Sequence, residues 1–284
     1  MRDFSAVSAP FASHRGMAAL ALLLLASHTM AQSAPLSAGM QHVALGSSFA
    51  AGPGIPQQAA TCGRSDHNYS HLVAATLGLM LTDVSCSGAT TGHILDTPQG
   101  EAPPQLSALQ AETALVTLTI GGNDISYSSS TGRCAGAKAE DRCTDKLDRN
   151  AIAQAAGKLT QRLGEVIDAI HAKAPRAVIV MVPYPQVIPD SAQRCAALGL
   201  ADADADYLAT LGQQLEDAMV GAANAHGALV ADVYVDSDGH GPCADEVNRW
   251  VNGAVPAGSG TSFHPTARGH EAMAAKVLQV LEQQ

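Results

Sequence analysis

Three separated blocks of this chain hold residue types that could together perform acyl transfer. Ser47 and Ser48 stand side by side in ALGSSFAAGPG, where a short apolar run gives way to glycines and a proline. Asn123 follows two glycines in TIGGNDI, and His264 precedes a proline in FHPTARGH. Acyl transfer needs a nucleophilic oxygen, a base that is neutral near physiological pH, and donors aimed at the oxyanion of a tetrahedral intermediate. Ser48, at a strand-to-turn junction, could expose its hydroxyl and its own N–H to one cavity. Taken singly, each block also has a plainer reading: a loop serine, a Gly-Asn turn, a histidine at a helix entrance.

Other polar residues compete for attention. His67 and His71 are spaced i,i+4, but no acidic motif nearby completes a metalloprotease pattern, so no metal site is assigned to them. His270 falls inside the last helical segment and is expected at its surface, and Asp124 is expected to secure its turn or cap the segment that follows.

These residues must be positioned by elements that the apolar pattern outlines. MQHVALGSS reads as a buried strand entering a loop; residues 67–79 have helical spacing; ALVTLTI is a second strand, ended by Gly121 and Gly122. SSSTGRCAGAKAEDRC reads as a polar excursion. A helix from Asn150 to Ala172 buries Ile152, Leu159, Leu163, Val166, Ile167 and Ile170; the strand AVIVMV follows, then a helix over about Ala203–Ala225 and a strand in GALVADV. The last helix begins near His264-Pro265-Thr266, with Met273, Val277, Leu278 and Leu281 inward. Alternating strands and helices indicate an α/β fold with a mostly parallel central sheet covered on both faces. Reactive groups in such a sheet collect beyond the carboxyl ends of the strands, at the loops after Leu45, after Ile120 and before His264.

Arg15 precedes MAALALLLLAS, and Thr29-Met30-Ala31 offers the small residues of a cleavage site, so residues 1–31 read as a signal peptide and 32–284 as one domain. The apolar run is short of the ~20 residues of a membrane span, and export to a secreted or periplasmic location is expected. The formal charge is −10, and −11 once Arg2, Asp3 and Arg15 are removed. With no basic cluster to offset it, this charge argues against nucleic acid as a partner. Six cysteines, Cys62, Cys86, Cys134, Cys143, Cys195 and Cys243, all follow the leader. An even count in an exported chain points to disulfides, without CxxC or zinc-type spacing, but sequence leaves the pairing open.

Taken in order, the blocks ALGSSFAAGPG, CSGATT, TIGGNDI and FHPTARGH resemble those of the SGNH hydrolases, esterases and lipases named for Ser, Gly, Asn and His. The resemblance spans nearly the whole chain after the leader and is greatest to the secreted lipase, phospholipase and esterase branch first known from actinomycetes. It implies a three-layer α/β/α sandwich, the SGNH hydrolase fold. It also implies Ser48 as nucleophile, His264 as general base, and Gly88 and Asn123 as oxyanion donors with the Ser48 N–H. CGRSDHNYSHLVA and the cysteine layout match the branch, implying bridges Cys62–Cys86, Cys134–Cys143 and Cys195–Cys243.

Two positions depart from the family pattern. Ser47 stands where the family has Asp, a loop-organising residue, and Thr261 stands where it has the Asp three residues before the histidine. Some members of the branch use a Ser–His dyad oriented by a main-chain carbonyl, which places the carbonyl of Thr261 against the His264 ring; Asp236, Asp238 and Asp245 are alternative carboxylates. The expected activity is hydrolysis of acylglycerols and simple acyl esters by a monomeric enzyme without cofactor. A phospholipase A and a noncatalytic lipid- or glycan-binding domain are the alternatives. Phe49, Ile55, Ile94, Leu95, Ile125, Tyr127, Val187 and Ile188 are expected to receive an acyl chain, each buried methylene contributing ~0.8 kcal/mol.

Overall fold

In the computed structural model, five parallel strands lie side by side in the order Met80–Asp83 (β4), Gln41–Gly46 (β1), Leu115–Thr119 (β5), Val178–Met181 (β6), Leu229–Val230 (β7). The structure describes residues 35–59 and 61–284 together with Met1 and Asp3, so the expected leader, those two residues apart, lies outside the described residues. The chain divides into the units Met1–Gln32 and Ser33–Gln284.

The chain enters the sheet one strand in from an edge. Strand β1 (Gln41–Gly46) runs into a single helical turn, α1 (Ser48–Ala51), and a two-residue antiparallel pair follows, β2 (Gln58–Ala59) with β3 (Arg64–Ser65). Helix α2 (Tyr69–Leu77) starts at Asn68, whose side chain accepts from the His71 N–H, and crosses to the edge strand β4 (Met80–Asp83). After α3 (Thr91–Leu95) the chain returns to the other side of β1 as β5 (Leu115–Thr119). This reversal makes the carboxyl ends of β1, β4 and β5 the crevice in which open α/β sheets place their reactive groups.

Helix α4 (Tyr127–Cys134) comes next, then α5 (Arg149–Lys173) and β6 (Val178–Met181). Helix α6 (Asp202–His226), β7 (Leu229–Val230), α7 (Val233–Asp236) and α8 (Ala267–Glu282) complete the order. Leu159, Leu163, Ile167, Leu208, Leu215 and Met219 of α5 and α6 pack on one face of the sheet with Leu45, Val116 and Leu118. Tyr69, Val73, Met273 and Val277 of α2 and α8 pack on the other with Leu115, Val180 and Val182. The expected three-layer α/β/α sandwich with a parallel sheet is thus present.

Four local expectations are corrected. Strand β4 was not anticipated: as an edge strand it leaves Met80 62% exposed and lacks the continuous apolar run of the central strands. The excursion SSSTGRC is helical as α4, tied down where Cys134 is bridged to Cys143. In GALVADV only Leu229–Val230 pairs, because the Asp232 carboxylate accepts from the N–H groups of Tyr234 and Val235 and starts α7. His270 is fully buried in α8, its Nδ1 accepting from the Tyr69 N–H at 3.2 Å, because α8 packs against α2 at that point.

The bridges are Cys62–Cys86, Cys134–Cys143 and Cys195–Cys243, and the described residues contain no free cysteine.

Candidate active site

Ser47 and Ser48 are placed by the end of β1. The Ser47 N–H donates to the Thr119 carbonyl of β5, and the Ser47 carbonyl accepts from Ala50 and Ala51, closing the turn that begins α1. Gly46, with φ +144°, has no room for a side chain: a Cβ there would meet the Thr119 carbonyl at 2.4 Å. This close approach of two strand ends projects the next residues out of the sheet.

The Ser48 hydroxyl lies 2.8 Å from Nε2 of His264, 216 residues away in sequence. On its other edge the ring donates from Nδ1 to the carbonyl of Ser262 at 2.7 Å. A carbonyl only accepts, so the proton belongs on Nδ1 and the lone pair on Nε2 faces the hydroxyl. Burial holds the imidazole below its ordinary pKa, opposed by the bond to Ser262. The Phe49 ring lies with its centroid 4.8 Å from that of His264 and 4.1 Å from that of Tyr184. A neutral imidazole so oriented can accept the serine proton.

The orienting carbonyl is therefore that of Ser262, not the expected Thr261. The Thr261 carbonyl instead accepts from the His264 N–H at 3.3 Å and from the side-chain amide of Asn252 at 3.4 Å. Within this turn Phe263 adopts φ +54°, the left-handed region that non-glycine residues seldom enter, and the reversal brings the Ser262 carbonyl to the ring. The alternative carboxylates are engaged or placed elsewhere. Asp236 pairs with Lys276 at 2.6 Å, Asp238 accepts from Gln193, and Asp245 is exposed with its carbonyl accepting from the Asn248 N–H.

Asn123 and Gly88 come from the ends of β5 and β4. The Asn123 side-chain amide donates one N–H to the Ala89 carbonyl at 2.9 Å and has a second to offer, so the two loops are fastened together. Asp124 does more than secure its own turn: its carboxylate accepts from the N–H and hydroxyl of Thr91, anchoring the start of α3.

Ser47, in the position of the family's Asp, is completely buried, its hydroxyl 2.9 Å from that of Tyr184. The Tyr184 oxygen also accepts from the Gly122 N–H at 3.3 Å. One buried phenol thus joins the residue before Ser48 to the residue before Asn123. Burial pushes its pKa up to about 12, so it stays protonated. Sequence reasoning missed Tyr184, although its place just beyond β6 meets the same strand-end rule that singled out Ser48 and Asn123.

The expected acyl-contact residues are corrected as a group. Phe49, Ile55, Ile94, Ile125, Tyr127, Val187 and Ile188 are at most 3% exposed, and only Leu95 is partly open. Their methyl groups and rings are spent on the core between sheet and helices, where burial from water is greatest. His67 and His71 take separate partners, Asp66 and Asn68.

A parallel α/β/α sandwich with a serine hydroxyl bonded to an imidazole at its strand ends defines an ester hydrolase of the SGNH type. Residues 44–272 match the GDSL-like Lipase/Acylhydrolase family, and the chain belongs to that family of carboxylic ester hydrolases. It is 34% identical over 274 residues to Lipase 2 of Streptomyces coelicolor, covering 92% of each chain. Among solved structures it is similar to an extracellular lipase from Streptomyces rimosus, with TM-score 0.71 and 28% identity, covering 85% of this chain and 100% of that one. It is also similar to a phospholipase A1 from Streptomyces albidoflavus NA297, with TM-score 0.70 and 27% identity over 86% and 100% of the two chains. No helix among the described residues is long and apolar enough to cross a membrane.

Proposed function

We propose that this protein is a secreted serine esterase or lipase that hydrolyses acylglycerols and simple acyl esters through an acyl-enzyme on Ser48. The observation that carries the reading is the 2.8 Å approach of the Ser48 hydroxyl to Nε2 of His264. Ser48 Oγ attacks the ester carbonyl while His264 takes its proton; the imidazolium then returns that proton to the departing alcohol. Water, deprotonated by the same ring, attacks the acyl-serine and releases the acid. The oxyanion of both tetrahedral intermediates is received by the N–H groups of Ser48 and Gly88 and the amide of Asn123. Residues 1–31 are removed on export.

A phospholipase A activity is the second reading, favoured by the likeness to the Streptomyces albidoflavus phospholipase A1 over the whole of that chain. Purified enzyme is tested on p-nitrophenyl butyrate and octanoate, tributyrin and phosphatidylcholine, with a fluorophosphonate to label the nucleophile. Labelling at Ser48, loss of turnover in Ser48→Ala, and a fall of roughly 10²–10³-fold in kcat for Asn123→Ala with KM little changed are expected. Full activity in Ser48→Ala would overturn the mechanism. Preference for phosphatidylcholine over tributyrin would select the second reading. The N-terminal sequence of the exported protein tests removal of the leader.

A further inference from the structure

The peptide joining Ser87 to Gly88 is held from its carbonyl side. Nε2 of Gln99 donates to the Ser87 carbonyl at 2.8 Å, and the same nitrogen lies 3.5 Å from where a Cβ on Gly88 would fall. In a trans peptide the C=O and the following N–H point in opposite directions. Fastening the Ser87 oxygen therefore sets the direction of the Gly88 N–H.

The neighbouring donors of this segment are all committed. The Cys86 N–H donates to the Gly46 carbonyl, Ser87 to Cys62, and Ala89 to Cys86, each at 3.0 Å, and Cys86 is bridged to Cys62. Among the hydrogen bonds of the described residues none uses the Gly88 N–H, in a residue whose φ of +85° suits glycine. The clamp is itself braced: Gln99 and Ala102 exchange two main-chain hydrogen bonds across Gly100 and Glu101. Oε1 of Gln99 is buried and accepts no hydrogen bond, a cost that an apolar side chain would avoid.

We propose that Gln99 is a positioning residue for ester hydrolysis, aiming the Gly88 N–H at the oxyanion by holding the opposite end of its peptide. This rests on Gly88 being an oxyanion donor, as in the function proposed above. The bond to the Ser87 carbonyl also polarises the peptide and strengthens its N–H as a donor.

The test uses the purified enzyme with Gln99→Leu, Gln99→Glu and Asn123→Ala, p-nitrophenyl butyrate as substrate and butylboronic acid as the tetrahedral mimic. For Gln99→Leu, kcat is expected to fall roughly 10- to 100-fold, the scale of a misplaced catalytic group, with KM little changed and the boronate Ki raised in parallel. In Gln99→Glu only the protonated carboxyl can donate to Ser87, so its kcat relative to wild type is expected to rise as pH falls. Unchanged kcat and Ki in Gln99→Leu, with both impaired in Asn123→Ala, would overturn the role of Gln99 and leave the oxyanion assignment standing. If neither variant changes kcat, the oxyanion assignment falls and this proposal with it. Should Gln99→Leu lose its thermal unfolding transition, the Gln99→Glu ratio decides, and a ratio flat with pH overturns the proposal.

Discussion

The carbonyl oxygen of Ser262 lies 2.7 Å from Nδ1 of His264, two residues further along the same chain. The His264 ring is thus oriented by a neutral group from its own loop. A carbonyl fixes the tautomer, but it stabilises an imidazolium less than a carboxylate would. Because main-chain atoms do this, Thr261→Ala and Ser262→Ala are expected to keep most activity, as are Asp236→Asn, Asp238→Asn and Asp245→Asn. His264→Ala is expected to lose at least about 10²-fold in kcat. Steady-state kinetics on p-nitrophenyl butyrate check this, and a loss in any aspartate variant matching that of His264→Ala would refute the dyad.

The acid limb of the pH profile follows from the same ring. In the proposed mechanism His264 acts as a base only when neutral, and burial holds its pKa below the ordinary 6.5. Activity is therefore retained as pH falls through 6.5 and declines only below it. The inflection in kcat/KM for the free enzyme reports this directly; an inflection above 6.5 would mean that a negative charge faces the ring.

Tyr184→Phe removes one buried oxygen and leaves the Gly122 N–H and the Ser47 hydroxyl without their shared partner. An unsatisfied buried polar group costs about 1–3 kcal/mol. A lower denaturation midpoint is expected, together with reduced kcat, since the phenol spans the loops carrying Ser48 and Asn123. Urea unfolding and kinetics on the same preparation separate the two effects. Unchanged kcat would confine Tyr184 to stability.

Two buried histidines outside the Ser48–His264 pair are expected to lower stability in acid. Desolvation lowers His42 and His270 to about 3. Between the ordinary 6.5 and about 3, the unfolded chain binds a proton at each that the folded chain does not. Stability is then complete above pH 6.5 and falls with decreasing pH by about 1.4 kcal/mol per pH unit for each histidine. Urea titrations across this range measure the slope, and His42→Gln is expected to reduce it.

The pattern of apolar residues announced the sheet wherever a strand is buried on both faces. Leu115–Thr119 is fully buried and reads as a continuous β-branched and apolar run. It failed at Met80–Asp83, where an edge strand is recruited by hydrogen bonds to β1 and not by its own burial. The same limit explains the misplaced acyl-contact residues, since sequence identifies apolar side chains near strand ends without revealing which of them the core consumes.

By itself, the sequence determined the family, the α/β alternation and the residue types at the candidate site, because blocks in fixed order and the helical and strand periods are properties of the linear chain. Only the tertiary structure decided which carbonyl meets His264, because that depends on the left-handed turn at Phe263. It also decided that Tyr184 joins Ser47 to Gly122 and that Gln99 holds Ser87. These bonds form between residues 12 to 137 positions apart, brought to hydrogen-bond distance only when the strands align their ends.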